Sequence, residues 1–182
     1  ITKDFFIIVG GYLETIDPIK LDLFVDDEAE IILTNKRPVI DIILIIPPKP
    51  GFPVDFPGVG EIFTALIQNF PNTVSINSDH YQNEYLRQEI VDKHITAETY
   101  HFSNKQQVRI YCIKRANVWI NNLEICTDQN TVDLGNGTIT TATTIWHDEG
   151  KRLLMEGNSI KHPGDGSKDV QDAVAICVND LM

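Results

Sequence analysis

Apolar and polar positions along these 182 residues change period several times, and each change marks an element. Asp4-Phe5-Phe6-Ile7-Ile8-Val9 is a near-continuous apolar run closed by Gly10-Gly11-Tyr12, the pattern of a buried strand ending at a glycine pair. Between Glu14 and Glu30 seven acidic side chains meet one lysine and alternation is poor, which predicts a solvated hairpin. A second strand, Val39-Ile40-Asp41-Ile42-Ile43-Leu44-Ile45-Ile46, is β-branched almost throughout. It stops at Pro47-Pro48, because proline removes ladder donors. Five prolines between Pro47 and Pro57 predict an extended loop. Val59, Ile62, Phe63, Leu66, Ile67 and Phe70 then recur at helical spacing until Pro71. A short strand over 73–79, a polar amphipathic helix around Glu84–Lys93 and a strand over Thr99–Phe102 follow. Residues 106–119 suit a helix with Val108, Tyr111, Cys112 and Arg115 along one stripe. Asn, Thr, Gly and Asp then dominate 121–144, predicting a long hairpin that turns at Asn136-Gly137. A helix near 144–154 and a last helix opening at Ser167 complete the pattern. This order predicts one α/β domain, a mixed β-sheet flanked by helices on both faces with an extra hairpin, and no internal repeat.

Composition narrows the function classes. An apolar share of 42% with 23% charged residues supports a packed core and excludes wholesale disorder. The longest apolar run, Val39 to Pro48, contains Asp41 and is half the length of a membrane-spanning helix. Asp4 interrupts the first apolar stretch and no small-residue cleavage site follows, so no signal peptide is expected. Cys112, Cys126 and Cys177 have no metal-site spacing, and their odd number predicts a reduced, intracellular protein. Fifteen Lys and Arg against 26 Asp and Glu leave a formal charge of −11. That balance argues against holding nucleic acid by bulk electrostatics, yet suits a protein whose carboxylates hold metal ions.

Two carboxylates stand out by position. Asp79 closes a β-branched strand, where open α/β sheets place their ligands. Asp169 falls in the first turn of the last helix, two residues after the expected Ser167 cap, and Asp172 shares its face one turn on. Val170, Ala173, Val174 and Cys177 form the opposite stripe, expected to bury against the sheet. Carboxylates brought together repel unless a cation lies between them, and hard oxygen donors suit Mg²⁺ or Mn²⁺. Two such ions can activate a water and stabilise the leaving oxygen of a phosphodiester. The plainer alternative is that Asp79 is a turn residue and Asp169 a dipole partner. His162 is a candidate base or outer-shell ligand, or simply an exposed turn histidine. His80 should face away from Asp79. His147, Asp148 and Glu149 diverge by roughly 100° each on a helix and predict a solvated face. Lys105, Arg109, Lys114 and Arg115 place four positive charges and no acid in 105–115. With Lys151, Arg152, Lys161 and Lys168 they are candidates to track a phosphate backbone, or form an ordinary basic helix surface. No phosphate-binding loop occurs, since Gly150-Lys151-Arg152 lacks both the glycine spacing and the hydroxyl. Asn136-Gly137-Thr138 matches a glycosylation sequon without any other sign of secretion.

The tail Lys161-His162-Pro163-Gly164-Asp165-Gly166-Ser167-Lys168-Asp169-Val170-Gln171-Asp172-Ala173 resembles the closing motif of the nuclease domain of tailed-bacteriophage large terminases. Glu149-Gly150-Lys151-Arg152-Leu153-Leu154 is similar to the leucine-rich helix that precedes that motif. Ile76-Asn77-Ser78-Asp79-His80-Tyr81-Gln82, with Gln88, resembles the family's strand-Asp-aromatic-Gln segment. Val39-Ile40-Asp41 running into a double proline, then Val54-Asp55-Phe56 before a helix, follows the family's order. The resemblance covers essentially the whole chain; its tail is the specific part.

This resemblance implies a ribonuclease-H-like fold and a Mg²⁺- or Mn²⁺-dependent DNA endonuclease that cuts concatemeric viral DNA when packaging starts and when the head is full. Asp79 and Asp169 would hold two ions, with Asp172 as a supporting ligand or as a neighbour that holds a ligand, and Asp4 as the acid opening the second strand. The family's principal acid sits on the first strand and is not found in this sequence: it lies upstream of Ile1, or Asp4 substitutes for it, or the site is incomplete. The implied partners are double-stranded DNA, the portal protein, the small terminase subunit and the packaging ATPase half, which these residues do not include. The implied setting is the host cytoplasm and, transiently, the procapsid portal. The 121–144 hairpin would lie over DNA, touch a packaging partner or stay passive. A resolvase or transposase core, or an inactive portal-docking module on the same fold, are the rival readings.

Overall fold

The computed structural model describes residues 6–25, 28–46, 56–73, 75–79, 96–100, 103–126, 131–134, 137–156, 159–162 and 167–182; for 25, 56, 78, 79 and 96–100 the description is of the backbone alone. The chain is mixed α/β and divides into two compact units, Ile1–Pro48 with Ser103–Met182, and Lys49–Phe102. Residues 47–55 of the proline-rich loop expected over Pro47–Pro57 and the expected helix over Glu84–Lys93 lie outside the described residues, as do Asp4 and His80, while Phe56 and Pro57 belong to the first helix and not to a loop.

The larger unit is built on a ribbon of two long antiparallel strands, β1 (Phe6–Val25) and β2 (Glu28–Ile46). The glycine pair does not end β1, as its sequence suggested; the strand passes through it at a bulge. Gly10 faces Ile42 but Gly11 faces Ile40, leaving Asp41 as the extra residue. The extra residue shifts the inward alternation of β2, so that Ile40, Ile43 and Ile45 are all buried. Gly11 is required for this, because a Cβ there would lie 2.4 Å from the Val39 carbonyl oxygen. Gly11→Ala is therefore expected to cost about 1–3 kcal/mol, the usual range for overpacking. Gly10→Ala, whose Cβ would meet Ile42 at 3.4 Å, should change the thermal midpoint far less. Circular-dichroism melts of the two variants check the contrast.

A second irregularity sets Ile16, Asp17 and Pro18 against Asn35, between the pairs Thr15↔Lys36 and Ile19↔Thr34. It accommodates Pro18, which has no N–H for the ladder. The acidic segment after Glu14 is thus a hairpin, as expected, but it is the outer part of one continuous ribbon. Its inward side chains Leu21 and Leu23 are fully buried. A short strand, β5 (Glu124–Ile125), pairs in parallel with Val39–Ile40 and completes a three-stranded sheet of order β1-β2-β5.

Among the described residues three helices pack in this unit: α2 (Asn104–Trp119), α3 (Ala142–Arg152) and α4 (Asp169–Leu181). α2 opens with a capping box in which the Ser103 hydroxyl accepts the Gln106 N–H while the Gln106 side chain accepts the Ser103 N–H. On α2 the buried positions are Val108, Ile110, Tyr111, Ile113, Lys114 and Asn117, whereas Arg115, which shares a stripe with Val108 and Tyr111 by spacing, is exposed. Val170, Val174 and Val178 of α4 lie one turn apart and join Ile40, Ile43, Ile45, Ile113, Val132 and Ala142 in one core cluster. Of the predicted α4 stripe, Val170 and Val174 are fully buried, and Ala173 and Cys177 half-buried. The hairpin expected over 121–144 resolves into three parts: β5 in the main sheet, a small hairpin of β6 (Thr131–Asp133) and β7 (Ile139–Thr141), and the start of α3. Gly137, at φ +80°, lies in the turn of the small hairpin. A further hairpin, β8 (Leu154–Glu156) with β9 (Ser159–Lys161), precedes the last helix.

The smaller unit holds α1 (Phe56–Asn69) and a parallel pair, β3 (Ser75–Asp79) and β4 (Thr96–Tyr100). α1 follows the predicted spacing, with Val59 buried and Ile62, Phe63, Leu66 and Ile67 half-buried. Its end is closed by the Phe70 N–H on Leu66 O and the Thr73 hydroxyl on Phe70 O. Asp79 is the last residue of β3, in register with Tyr100, so it stands at the carboxyl edge of a parallel pair. Among the described residues no helix is long and apolar enough to cross a membrane, and no disulfide joins the three cysteines.

Candidate functional site at the head of the last helix

Of the tail motif, Ser167 and Lys168 lead into α4 and Asp169 to Asp172 form its first turn. Lys168, not Ser167, occupies the cap position and makes no side-chain cap bond. Ser167 still serves the helix end, its hydroxyl accepting the Asp169 N–H at 3.1 Å. Asp169 and Asp172 both lie in the first turn, where the helix dipole favours negative charge. A third carboxylate caps this turn from a distance: Glu149 of α3 accepts the Gln171 backbone N–H at 3.0 Å.

Glu149 was expected on a solvated face with His147 and Asp148. Those two are exposed, but Glu149 is only 7% exposed. The 100° fan of three consecutive helical residues allows one of them to face inward, and Glu149 does so because it continues the stripe of Ala142, Ile145 and Trp146. That i, i+3, i+7 spacing was the available signal. Burial raises its carboxyl to about 7, with the Asp169 charge adding to the rise and the Gln171 N–H opposing it. Among the described residues its buried Oε1 has no hydrogen-bond partner. A desolvated carboxylate beside a second acid is a setting that favours a cation.

Asp172 is differently placed. Its Oδ1 accepts the Tyr111 hydroxyl at 2.7 Å, the Lys168 ammonium at 3.3 Å and the Gln107 amide at 3.4 Å, and its Oδ2 lies 3.1 Å from Lys168 Nζ. Burial and the Asp172 charge together push the Tyr111 phenol well above its ordinary value. These contacts suit a supporting role better than that of a ligand. Lys114 fills the next layer: its ammonium donates to the Gln171 side-chain oxygen and sits 4.1 Å from the centre of the Tyr111 ring. The Gln171 amide nitrogen donates in turn to the Trp146 carbonyl. Lys114 is 6% exposed, and burial lowers it to about 7 against the attraction of Asp172 and Glu149.

The basic stripe expected to follow a phosphate backbone is thereby divided. Lys114 is buried and cannot reach a phosphate; the sequence could not show this because a helix with basic residues on several faces does not announce which one turns inward. Arg109 is committed to Glu30 of β2 through two hydrogen bonds, at 2.7 and 3.2 Å. Lys168 is paired with Asp172. Lys105 and Arg115 remain on the exposed surface. Lys105 and Arg109 line an open cleft of 320 Å³ with Ser103 and Gln106.

Of the predicted metal ligands, Asp169 therefore has a described setting. Asp79 has a described backbone in the other unit, with its side chain outside the described residues, and Asp4 lies wholly outside them. His162 follows β9 and is half-buried; residues 163–166, which join it to Ser167, are outside the described residues. Among the described residues no group of three or more His, Cys, Asp or Glu side chains could hold a metal ion. The oxygen donors Asp169 and Glu149 fit a hard divalent cation in kind, and further donors would have to come from elsewhere. Comparison of the chain with family models, with curated proteins and with solved structures found no match.

Proposed function

We propose that this chain is the nuclease domain of a tailed-bacteriophage large terminase, a ribonuclease-H-like, Mg²⁺- or Mn²⁺-dependent endodeoxyribonuclease acting on concatemeric viral DNA at the start and end of packaging. The observation that carries the reading is that the Ser167-Lys168-Asp169-x-x-Asp172 motif heads a helix whose apolar face is buried, with the desolvated Glu149 carboxyl holding the Gln171 N–H of the same turn and feeling the Asp169 charge. On this reading Asp169 and Asp79 bind the cations, with Asp4 as a further acid. Bound divalent ions would supply an acidified water and charge for the departing 3′ oxygen. The chain's own groups hold the acid in place: Ser167 and Glu149 take up the free N–H groups of the helix end, and Lys168 and Tyr111 hold Asp172.

The net charge of −11 implies that the DNA grip comes from partners, namely the ATPase half, the small subunit and the portal at the procapsid in the host cytoplasm. The chain alone is expected to lose DNA on a filter at moderate salt; retention at high salt would contradict this division of labour. The direct test is plasmid nicking with Mn²⁺. Nicking that EDTA abolishes and Asp79→Asn suppresses supports the proposal. No nicking under any divalent ion favours the inactive docking module, and cutting confined to branched DNA favours a resolvase.

A further inference from the structure

We infer that Tyr111 and Lys114 of α2 are positioning residues that clamp the first turn of α4, engage Asp172 away from any cation, and so fix the direction in which Asp169 leaves the helix. The inference rests on the nuclease reading of Asp169. Residues 171 and 172 are gripped from two different helices. From α2, Tyr111 donates to Asp172 and Lys114 to the Gln171 side chain. From α3, Glu149 accepts the Gln171 backbone N–H and Trp146 accepts its amide. The apolar contacts of Val170 and Val174 resist withdrawal of α4 but tolerate small rotations about its axis. The hydrogen bonds do not, because they are directional.

Rotation matters here, since Asp169 stands two and three positions from the gripped residues and each residue step turns the helix by about 100°. Lys114 is the informative member. A methionine would fill the same buried space without the cost of desolvating an ammonium, so packing alone does not account for the charge. The ammonium adds a fixed donor on Gln171 and a cation on the face of Tyr111.

The test uses Lys114→Met, Tyr111→Phe and Asp172→Asn in the whole chain, read by amide hydrogen exchange, by Mn²⁺ binding from the free-ion resonance signal, and by plasmid nicking at saturating Mn²⁺. Lys114→Met and Tyr111→Phe should speed exchange of the Gln171 amide by about tenfold and leave Val178 unchanged, the effect of losing one partner of a hydrogen bond. They should weaken Mn²⁺ binding by about 10-fold, as losses outside the ligand shell do, while the saturated nicking rate moves by less than about threefold. Asp172→Asn, which keeps an acceptor oxygen for Tyr111, should hold Mn²⁺ affinity within about threefold.

Folded variants with unchanged Gln171 exchange and unchanged Mn²⁺ affinity overturn the clamp. So does an Asp172→Asn loss as large as that of Asp169→Asn, which would make Asp172 a ligand. If the wild type binds no Mn²⁺ the nuclease reading fails, and the exchange comparison still decides whether the clamp exists. If Lys114→Met does not fold, Tyr111→Phe, which removes a single oxygen, carries the same comparisons.

Discussion

Asp169→Asn should reduce Mn²⁺-dependent nicking by more than about 100-fold, beyond what losses outside the ligand shell cost, while leaving the protein at least as stable. The two halves of this expectation come from one charge. Asp169 helps to raise the buried Glu149 carboxyl, which means that the two charges oppose each other in the folded chain. Asparagine keeps the shape and removes the repulsion, offset by the loss of a favourable charge at the helix head. A residue retained for the fold would lose stability and activity together; one retained for a cation loses activity alone. The nicking rate and the urea midpoint of the same preparation separate the two. A variant that unfolds, or one that still cuts, contradicts the assignment.

Stability should pass through a minimum near pH 7, and the cause is the same polar layer. The buried Lys114 ammonium is lowered to about 7 from an ordinary 10.5. Between those values the unfolded chain binds more protons than the folded one, so stability rises with pH, and is lost again as pH falls through 7. Glu149 is raised from 4.5 to about 7. Across that window the folded chain binds more protons, so stability falls as pH rises from 4.5. Each arm is expected to be on the order of a few kcal/mol at most, since a tenfold change in proton affinity is worth about 1.4 kcal/mol. Urea titrations between pH 5 and 9.5 check the shape. Lys114→Met should flatten the alkaline arm and Glu149→Gln the acid arm; a wild-type profile without the alkaline rise would contradict the burial of Lys114.

The elements that sequence periodicity revealed are those whose inward residues are apolar. α4 was legible from Val170 and Val174, α1 from Val59 through Phe70, and β2 from its β-branched run. The continuity of β1 was not, because glycine pairs usually interrupt strands and only the tertiary approach of Val39 to Gly11 shows why this one does not. In the candidate site Asp169 and Asp172 were legible from helix position alone. Their different fates were not, since Asp172 is decided by Tyr111, 61 positions away in the chain. Lys114 and Glu149 were expected at the surface, and Gln171 was passed over, for one reason: each is a polar residue on an inward face, and the general expectation that charged side chains seek water fails where partners are waiting.

The long ribbon carries one more implication. β5 covers only Val39 and Ile40 of β2 and β1 is the opposite edge of the sheet, so among the described residues most of the ribbon's two flanks have no strand beside them. Open flanks of this length invite another chain to add itself, and here the deterrents are Pro18 and Pro38 within the strands and the exposed carboxylates Glu14, Asp17, Asp22, Glu28 and Glu30. Colloidal behaviour should therefore follow acidity: once those carboxylates take up protons, the guard is gone, and the protein should gel or precipitate before it unfolds.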